Sequence, residues 1–178
     1  MSQLQPVLID KDVTLRPIEI CDADLLLAMN NDDELARFTV GNPRKVTMSE
    51  QVQWIKDTHN EKNTVRYMIE YQNMTVGTVF LSSINTECQT GNINIKIMKD
   101  ARGKGIGTRA VVLMLRYVFI ELNLYCITAH VLIDNMASRG MFIGLGFKEE
   151  GVLRCRAIKN GCHIDLVSYS LLRTEFDS

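Results

Sequence analysis

The chain lacks the features that mark secreted, membrane and nucleic-acid-binding proteins. Its 178 residues contain no CxxC pair, and its five cysteines are widely spaced, which favours reduced thiols in a cytoplasmic protein over a disulfide framework. There is no apolar run of about 18 residues and no basic segment followed by an apolar one, so we expect neither a membrane span nor a signal peptide. The formal net charge of −1 argues against binding to nucleic acid or to an acidic membrane surface.

Proline is scarce as well, and its distribution bears on domain organisation. The three prolines all lie in the first quarter of the chain, and no repeat, low-complexity tract or linker interrupts the rest. A chain of this length buries roughly two-thirds of its unfolded surface around one core. We therefore expect a single domain over residues 1–178.

Histidine is equally rare, and its pattern does not favour a metal centre. His59, His130 and His163 have no metal-ligand spacing with one another, nor with Cys155 and Cys162. We therefore expect no bound metal.

The apolar residues follow strand and helix periods in turn. Alternating or β-rich runs predict strands at 13–18, 64–71, 75–84, 91–98, 125–132 and on both sides of Asn160-Gly161. Helical spacing predicts helices that begin near Asp22 and span 47–60, 104–122 and 135–146. Hairpins link the earlier strands, whereas the long helix joins one strand to the next as a crossover, so the predicted fold class is α/β with a mixed sheet.

Two of these helices carry specific expectations. The helix at 47–60 is predicted to have Ser49 as its N-cap and to bury Val52, Ile55 and Trp54. The long helix is expected to bury the residues that recur at helical spacing, namely Ile106, Ala110, Leu113, Tyr117 and Ile120.

A glycine-rich stretch, RGKGIGT at 102–108, lies between a strand and the long helix. Gly105 and Gly107 lack Cβ, so the backbone can turn tightly and point successive N–H groups into one concavity. The positive end of the helix dipole lies there too. Three basic side chains can add charge: Arg102, Lys104 and Arg109. The stretch is therefore predicted to bind a pyrophosphate, with a flexible, solvated helix entry as the alternative.

Two known glycine loops do not fit this stretch. The dinucleotide motif GxGxxG would need a glycine at 108 or 110, where the chain has Thr108 and Ala110. The phosphate loop GxxxxGK[ST] fails because neither Gly105 nor Gly107 is followed by lysine and then Ser or Thr. The pattern that fits is R-x-x-G-x-G.

On this pattern the chain resembles the GNAT superfamily of acyl-CoA-dependent N-acyltransferases, whose pyrophosphate motif is Q/R-x-x-G-x-G/A. The resemblance covers about residues 13–172: LRPIEICDADLL is similar to the family's opening strand and helix, VGTVFL to its third strand, and DNMASRGMFIGLGFKEEG to its late helix. The ending NGCHIDLVSYSLL resembles the branch that acetylates ribosomal-protein N-termini and spermidine. The resemblance implies a GNAT-like mixed, mostly antiparallel sheet with a central splayed parallel pair, flanked by about four helices.

The same resemblance implies acetyl-CoA as cosubstrate. The pantetheine arm would bind the backbone at Ile97, Met98 and Lys99, and Asn135 at the start of the late helix would contact that arm. The pyrophosphate would bind the residues of the motif, Arg102, Gly103, Lys104, Gly105, Ile106, Gly107 and Thr108.

For catalysis, the resemblance implies a backbone N–H near Met98 as the donor to the oxyanion. Many relatives protonate the departing thiolate with a tyrosine, but this chain has Phe142 at that position, and phenylalanine cannot donate a proton. Ser138 matches a serine in the NxAS motif of the ribosomal branch and is our candidate for the acid. Its alternative role is to stabilise the first turn of the helix.

The general base stays unassigned. Asn92 and Ala157 stand where relatives carry glutamates. The remaining candidates are Glu70, Glu87, Asp165, His130 and His163. A water chain, or an amine that arrives neutral, would serve equally well.

The acceptor site is expected between the first two helices and the late strands. Asp32, Asp33 and Glu34 could attract a polyamine there, or simply form a solvated acidic loop that caps a helix. Arg44 and Lys45 would instead suit an acidic peptide or a sugar phosphate.

Two functions therefore compete. The first is an N-acetyltransferase acting on a small-molecule amine such as spermidine, on a peptide N-terminus or on an amino sugar. The second is a non-catalytic acyl-CoA-binding sensor, which the missing tyrosine and the two unmatched glutamates favour. In either case an edge strand or the C-terminal hairpin could form a homodimer, as occurs in similar proteins.

Overall fold

The computed structural model describes residues 5–40, 44–58 and 61–176, and a mixed β-sheet forms its centre. In chain order the strands are β1 (Leu8–Asp10), β2 (Val13–Pro17), β3 (Val65–Tyr71), β4 (Met74–Asn85), β5 (Thr90–Ile97), β6 (Cys126–Leu132), β7 (Lys148–Lys159) and β8 (Cys162–Leu172). Across the described residues they form one sheet in the order β1-β2-β3-β4-β5-β6-β8-β7. Only the β5–β6 pair in this sheet is parallel. The expected mixed, mostly antiparallel sheet is confirmed.

Helices cover both faces of the sheet. They are α1 (Ala23–Asn31), α2 (Asp33–Phe38), α3 (Met48–Thr58), α4 (Ile106–Arg116) and α5 (Met136–Gly144). Buried side chains of α4 pack on one face, whereas α1 and α3 pack on the other against Met68 of β3. None of the helices in the described ranges combines the length and the apolar character needed to cross a membrane.

The sequence predicted neither the short strand β1 nor the short helix α2. Helix α2 is the one that borders the site. It begins because the Asp32 carboxylate accepts hydrogen bonds from the backbone N–H groups of Glu34 and Leu35, at 2.8 and 3.1 Å. Leu35 is its only fully buried residue, so an apolar period could not reveal it.

The N-cap of α3 is Thr47, and the prediction of Ser49 was wrong. The Thr47 hydroxyl accepts from the N–H of Glu50 at 3.3 Å, while the Glu50 carboxylate accepts from the N–H of Thr47 at 2.8 Å. The Thr47 N–H and then the Arg44 guanidinium lower the pKa of Glu50 to about 2. The reciprocal bonds fix the start of α3.

Two residues expected in the core are exposed instead. Ile120 is 66% exposed because the helix after α4 widens into a π-turn at Tyr117–Glu121, which shifts the buried position to Phe119. Trp54 is 36% exposed, and the Arg66 guanidinium lies 5.2 Å from the centre of its ring. Trp54 also lines a surface cavity.

Both predicted hairpins are confirmed, and each has a two-residue turn. Gln72 and Asn73 join β3 to β4 with φ of 51° and 63°. Asn160 and Gly161 join β7 to β8 with φ of 50° and 79°. Positive φ at both central residues matches the twist of the flanking strands.

The parallel pair is splayed, as the resemblance implied. β5 and β6 pair only where Thr90, Gly91 and Asn92 face residues 126–128. Beyond that point β5 stays paired with β4 up to Ile97, and β6 stays paired with β8 up to Leu132. The two strands therefore diverge toward their C-terminal ends and leave a gap in the middle of the sheet.

Candidate active site

Backbone groups of β5 that make no bond to β4 face the gap. The N–H of Met98 donates to the carbonyl of Val76 in β4 at 2.9 Å. Because pairing alternates along an antiparallel ladder, the N–H and C=O groups of Ile95 and Ile97 point the other way, toward β6. The Met98 N–H is thus engaged by β4, and the Ile97 N–H is the neighbouring donor that faces the gap.

A cleft of about 460 Å³ runs through this gap. On the α4 side it is lined by the glycine-rich loop, and on the opposite side by Asn94, Lys96 and His130. Helix α5 contributes Ser138 and Phe142. Of the residues predicted to bind the cofactor or to act as the acid, all line this cleft except Met98, Lys99 and Lys104. The cleft therefore connects the two faces of the sheet.

The glycine-rich loop presents free N–H groups at one end of the cleft. Gly103 and Gly105 both have φ of 73°, where any other residue would be strained. The first bond of α4 runs from the N–H of Arg109 to the carbonyl of Gly105 at 3.1 Å. The N–H groups of residues 106–108 therefore precede the helical ladder, and no carbonyl in the described part of the chain accepts them. Such a nest at the positive end of a helix dipole fits a pyrophosphate.

Gly107 lets α4 approach β5 closely. A Cβ at this position would lie 3.4 Å from Cγ1 of Ile97 and 3.5 Å from Cδ1 of Ile95. The glycine thus brings the first turn of α4 against the two residues whose amides face the gap.

Of the basic side chains expected to add charge, Arg109 turns away from the loop. Its guanidinium donates to the carbonyl of Asp10 at 2.7 Å and pairs with the carboxylate of Asp12, in the β1–β2 hairpin. Lys104 is exposed. Arg109 therefore anchors α4 to the first hairpin.

Arg102 ties the loop to α2. Its Nε donates to the carbonyl of Ile97 at 3.0 Å, and its Nη1 lies 3.2 Å from the Glu34 carboxylate. The guanidinium also lies 5.5 Å from the centre of the Phe38 ring. The third nitrogen, Nη2, is buried and meets no acceptor among the described residues. An unpaired buried donor costs about 1–3 kcal/mol, which an anionic ligand in the cleft would offset.

Helix α5 contributes a free hydroxyl. The Asn135 side chain caps the helix, since its Oδ1 accepts from the N–H of Ser138 at 3.1 Å. Its Nδ2 donates to the carbonyl of Phe38 at 3.2 Å. The capping role thus falls to Asn135, and the Ser138 hydroxyl has no hydrogen-bond partner within the described ranges. Phe142 is only 3% exposed and packs edge-on against Phe147, with ring centres 5.0 Å apart.

Of the five candidate bases, His130 alone lines the cleft. Its Nδ1 lies 3.5 Å from the Asn92 amide nitrogen, which also donates to the Thr128 hydroxyl at 3.0 Å. Burial, and then the charge of Arg156, lower the pKa of His130, which keeps the imidazole neutral at neutral pH. The other four lie elsewhere: Glu70 pairs with Arg16, Asp165 accepts from the N–H of Cys155, and Glu87 and His163 are exposed.

A second cavity, of about 370 Å³, opens between α1, α2 and α3. It shares Leu35, Thr39, Val40 and Lys96 with the cleft. Further along, its wall carries Asn30 and Gln51. Sequence reasoning missed Lys96 and Gln51, because Lys96 alternates with isoleucines as an ordinary solvent-facing strand residue does.

The acidic cluster expected to attract a polyamine is neutralised within the chain. Asp32 caps α2, Asp33 pairs with Lys45 at 2.6 Å, and Glu34 pairs with Lys99 at 2.8 Å as well as with Arg102. The alternative of an acidic segment that caps a helix is the one the geometry supports.

A metal site would need converging ligands, and the described ranges contain none. No three His, Cys, Asp or Glu side chains within them could hold an ion together. His59, one of the three histidines considered, lies outside the described residues.

Comparison with known proteins identifies a family whose members resemble this chain. The family model described as an acetyltransferase (GNAT) domain matches residues 12–148. The chain is 30% identical over 176 residues to a Bacillus subtilis protein named ribosomal N-acetyltransferase YdaF, covering 95% of this chain and 96% of the relative. It is 26% identical over 164 residues to the spermidine N(1)-acetyltransferase of Escherichia coli K12, covering 92% and 88%. The solved structure of the Vibrio cholerae spermidine N-acetyltransferase, in complex with CoA and spermine, has the same fold, with a TM-score of 0.87 at 24% identity and coverage of 93% and 98%.

Proposed function

The chain belongs to the GNAT acetyltransferase family, and we propose that it transfers an acetyl group from acetyl-CoA to a primary amine. The acceptor classes considered are a polyamine such as spermidine, a peptide N-terminus and an amino sugar. One observation carries the proposal: a single cleft passes through the sheet from a nest of free N–H groups to a second cavity on the opposite face. That arrangement lets a donor and an acceptor approach each other from opposite sides.

The donor would be held by backbone groups more than by side chains. Free N–H groups of residues 106–108 bind the pyrophosphate, and the backbone amide groups of Ile95 bind the pantetheine arm in the gap, which leaves the N–H of Ile97 for the acetyl group. Met98 and Lys99 would shape the site without binding the donor through these groups, because the N–H of Met98 and the ammonium of Lys99 already have hydrogen-bond partners. Asn135 holds the first turn of α5 against the cleft. When bound, acetyl-CoA supplies an acetyl group activated as a thioester.

Three groups of the chain serve the transfer itself. The reaction forms a C–N bond and breaks a C–S bond, so a proton must leave the amine and another must reach the sulfur. The neutral imidazole of His130 accepts the proton of the amine, and the Ser138 hydroxyl donates to the sulfur. The N–H of Ile97 stabilises the negative charge that develops on the carbonyl oxygen.

The test is release of free thiol from acetyl-CoA with a panel of amines that covers all three acceptor classes. We expect turnover with at least one class and a product acetylated on nitrogen, identified by mass spectrometry. If acetyl-CoA raises the melting temperature while no amine gives free thiol, the catalytic proposal fails and the cofactor-sensing alternative replaces it.

The setting of the protein is part of the proposal. We place it in the cytoplasm because its five free cysteines suit a reducing compartment. Residues 1–178 act as one acetyltransferase domain, with no nucleic-acid or membrane partner. The sheet edges β1 and β7 are the surfaces through which a homodimer would pair, and light scattering measures that state directly.

A further inference from the structure

We propose that the acceptor amine carries an oxyanion, a carboxylate or a phosphate, and that Lys96 and Gln51 bind this group in the second cavity. This inference rests on the proposed N-acetyltransferase function and names the chemistry of its acceptor. It distinguishes the chain from an enzyme that recognises a polyamine by its positive charges.

A chain of hydrogen bonds leads from Lys96 to an unused donor. The Lys96 ammonium donates to Oδ1 of Asn30 at 3.3 Å, and Nδ2 of Asn30 donates to Oε1 of Gln51 at 2.8 Å. Because an ammonium can only donate, it fixes the orientation of the Asn30 amide and hence that of Gln51. The chain ends at Nε2 of Gln51, which is buried and has no partner among the described residues.

The Gln51 side chain is built into the cavity wall. The residue is 2% exposed, on a helix of eleven residues whose start is fixed by the Thr47–Glu50 bonds. A buried N–H donor without an acceptor costs about 1–3 kcal/mol. A ligand oxygen in the cavity would complete the network.

Lys96 places positive charge at the junction of the two cavities. Its side chain lines both of them, and its one hydrogen bond in the described part of the chain goes to a neutral amide. No carboxylate among the described residues pairs with the Lys96 ammonium, and burial, and then the charge of Lys159, lower its pKa. An oxyanion bound there supplies a compensating negative charge.

The carboxylates of the region are already satisfied, so they offer nothing to a polyamine. Among the described residues that line the second cavity, Glu50 is the only carboxylate. It accepts from Thr47 and pairs with Arg44 at 2.8 Å. A polyamine would therefore meet the Lys96 charge with no free carboxylate to oppose it, whereas an oxyanion would meet two donors.

The first experiment needs no variant. Thiol release from acetyl-CoA is measured with matched pairs of acceptors, namely a dipeptide and its C-terminal amide, glucosamine 6-phosphate and glucosamine, with spermidine as a third class. One charge-assisted hydrogen bond is worth roughly tenfold or more in kcat/KM, so we expect the oxyanion member of one pair to be preferred by at least that factor. The pair that shows the preference identifies carboxylate or phosphate. Equal rates within both pairs, or spermidine as the best acceptor, would overturn the inference.

The second experiment assigns the preference to residues. Lys96→Met and Gln51→Met should each lower kcat/KM for the oxyanion-bearing acceptor by about 10- to 100-fold more than that for its uncharged partner. Lys96→Arg should restore part of the preference. The matched controls are Lys56→Met and Gln53→Met on the exposed side of α3, which should change neither rate. Equal losses for both members of a pair would show a merely structural role.

Two further readouts separate the possible failures. Calorimetric titration of the protein with the preferred acceptor alone should show weaker binding in Lys96→Met, independently of turnover, and melting curves report whether each variant folds. If no amine of any class is acetylated, the proposed function fails. If amines are acetylated without regard to an oxyanion, the proposed function stands and this inference is wrong.

Discussion

Replacing Gly105 by alanine tests the pyrophosphate nest, and the chain supplies a matched control. Gly105 has φ of 73° and Gly161 has φ of 79°, and a Cβ at either position would meet no heavy atom within 4 Å. Gly105 precedes α4 at the cleft, whereas Gly161 lies in the β7–β8 turn. Gly105→Ala and Gly161→Ala therefore impose the same backbone strain at two sites, of which only the first is predicted to bind acetyl-CoA.

The strain sets the expected loss of stability. A residue with a Cβ costs about 1–2 kcal/mol in the left-handed region. In a domain of this size each kcal/mol lowers the melting temperature by about 2–4 °C, so both variants should melt about 2–8 °C below the unaltered protein. No steric clash adds to this cost, because the space around both positions is open.

Binding should separate the two variants. Relief of the strain at Gly105 rotates the loop amides away from the cleft, and each charge-assisted hydrogen bond lost costs about 1.5–3 kcal/mol, or roughly a 10- to 150-fold weaker affinity for acetyl-CoA. Titration calorimetry measures this affinity directly. An unchanged affinity in Gly105→Ala, or an equal loss in Gly161→Ala, would refute the nest.

Three further predictions concern the proposed acid, the proposed base and one helix cap. Ser138→Ala should lower kcat about 100-fold or more and leave acetyl-CoA affinity intact; unchanged turnover and pH profile in steady-state kinetics would exclude the serine as the acid. The pKa of His130 is lowered from 6.5, so its basic form is present at neutral pH and is lost as the pH falls through the lowered value. His130→Gln should reduce kcat/KM and abolish the fall of kcat/KM at acid pH. If that fall persists in the variant, His130 is not the base. The pKa of Glu50 is lowered from 4.5 to about 2, so its stabilising effect is complete above pH 4.5 and is lost toward pH 2; melting curves of Glu50→Gln should lie below those of the unaltered protein at neutral pH and converge with them across that window, and a constant difference would contradict the cap.

Local sequence signals predicted the parts of the fold that depend on local physics. Asn160 and Gly161 adopt positive φ readily, so these two residues were enough to predict the turn. The π-turn after α4 could not be predicted, because the same apolar residues suit a regular helix. Only packing decides that Phe119 is buried and Ile120 exposed. The family resemblance supplied the splayed pair, which strand periodicity alone does not reveal.

The candidate site, too, has parts that local sequence predicts and parts that it does not. The glycine-rich loop could be predicted because its function depends on consecutive residues. The direction of a side chain could not be predicted in this way. The Arg109 guanidinium, for example, donates to the carbonyl of Asp10, 99 residues away in the sequence. Lys96 and Gln51 lie far apart along the chain and are linked through Asn30, so no spacing rule joins them.

The contacts of α2 make the two ends of the cleft mechanically dependent on each other. Arg102 holds Glu34 and Phe38 against the glycine-rich loop, and Asn135 holds the carbonyl of Phe38 from the other side. The same segment supplies Leu35 to the acceptor cavity. A displacement of the loop would therefore be passed through α2 to the second cavity, and a displacement of α2 would be passed back to the loop. If donor and acceptor bind as proposed, thermodynamic reciprocity requires any change that one makes in the affinity of the other to be matched by the same factor in reverse.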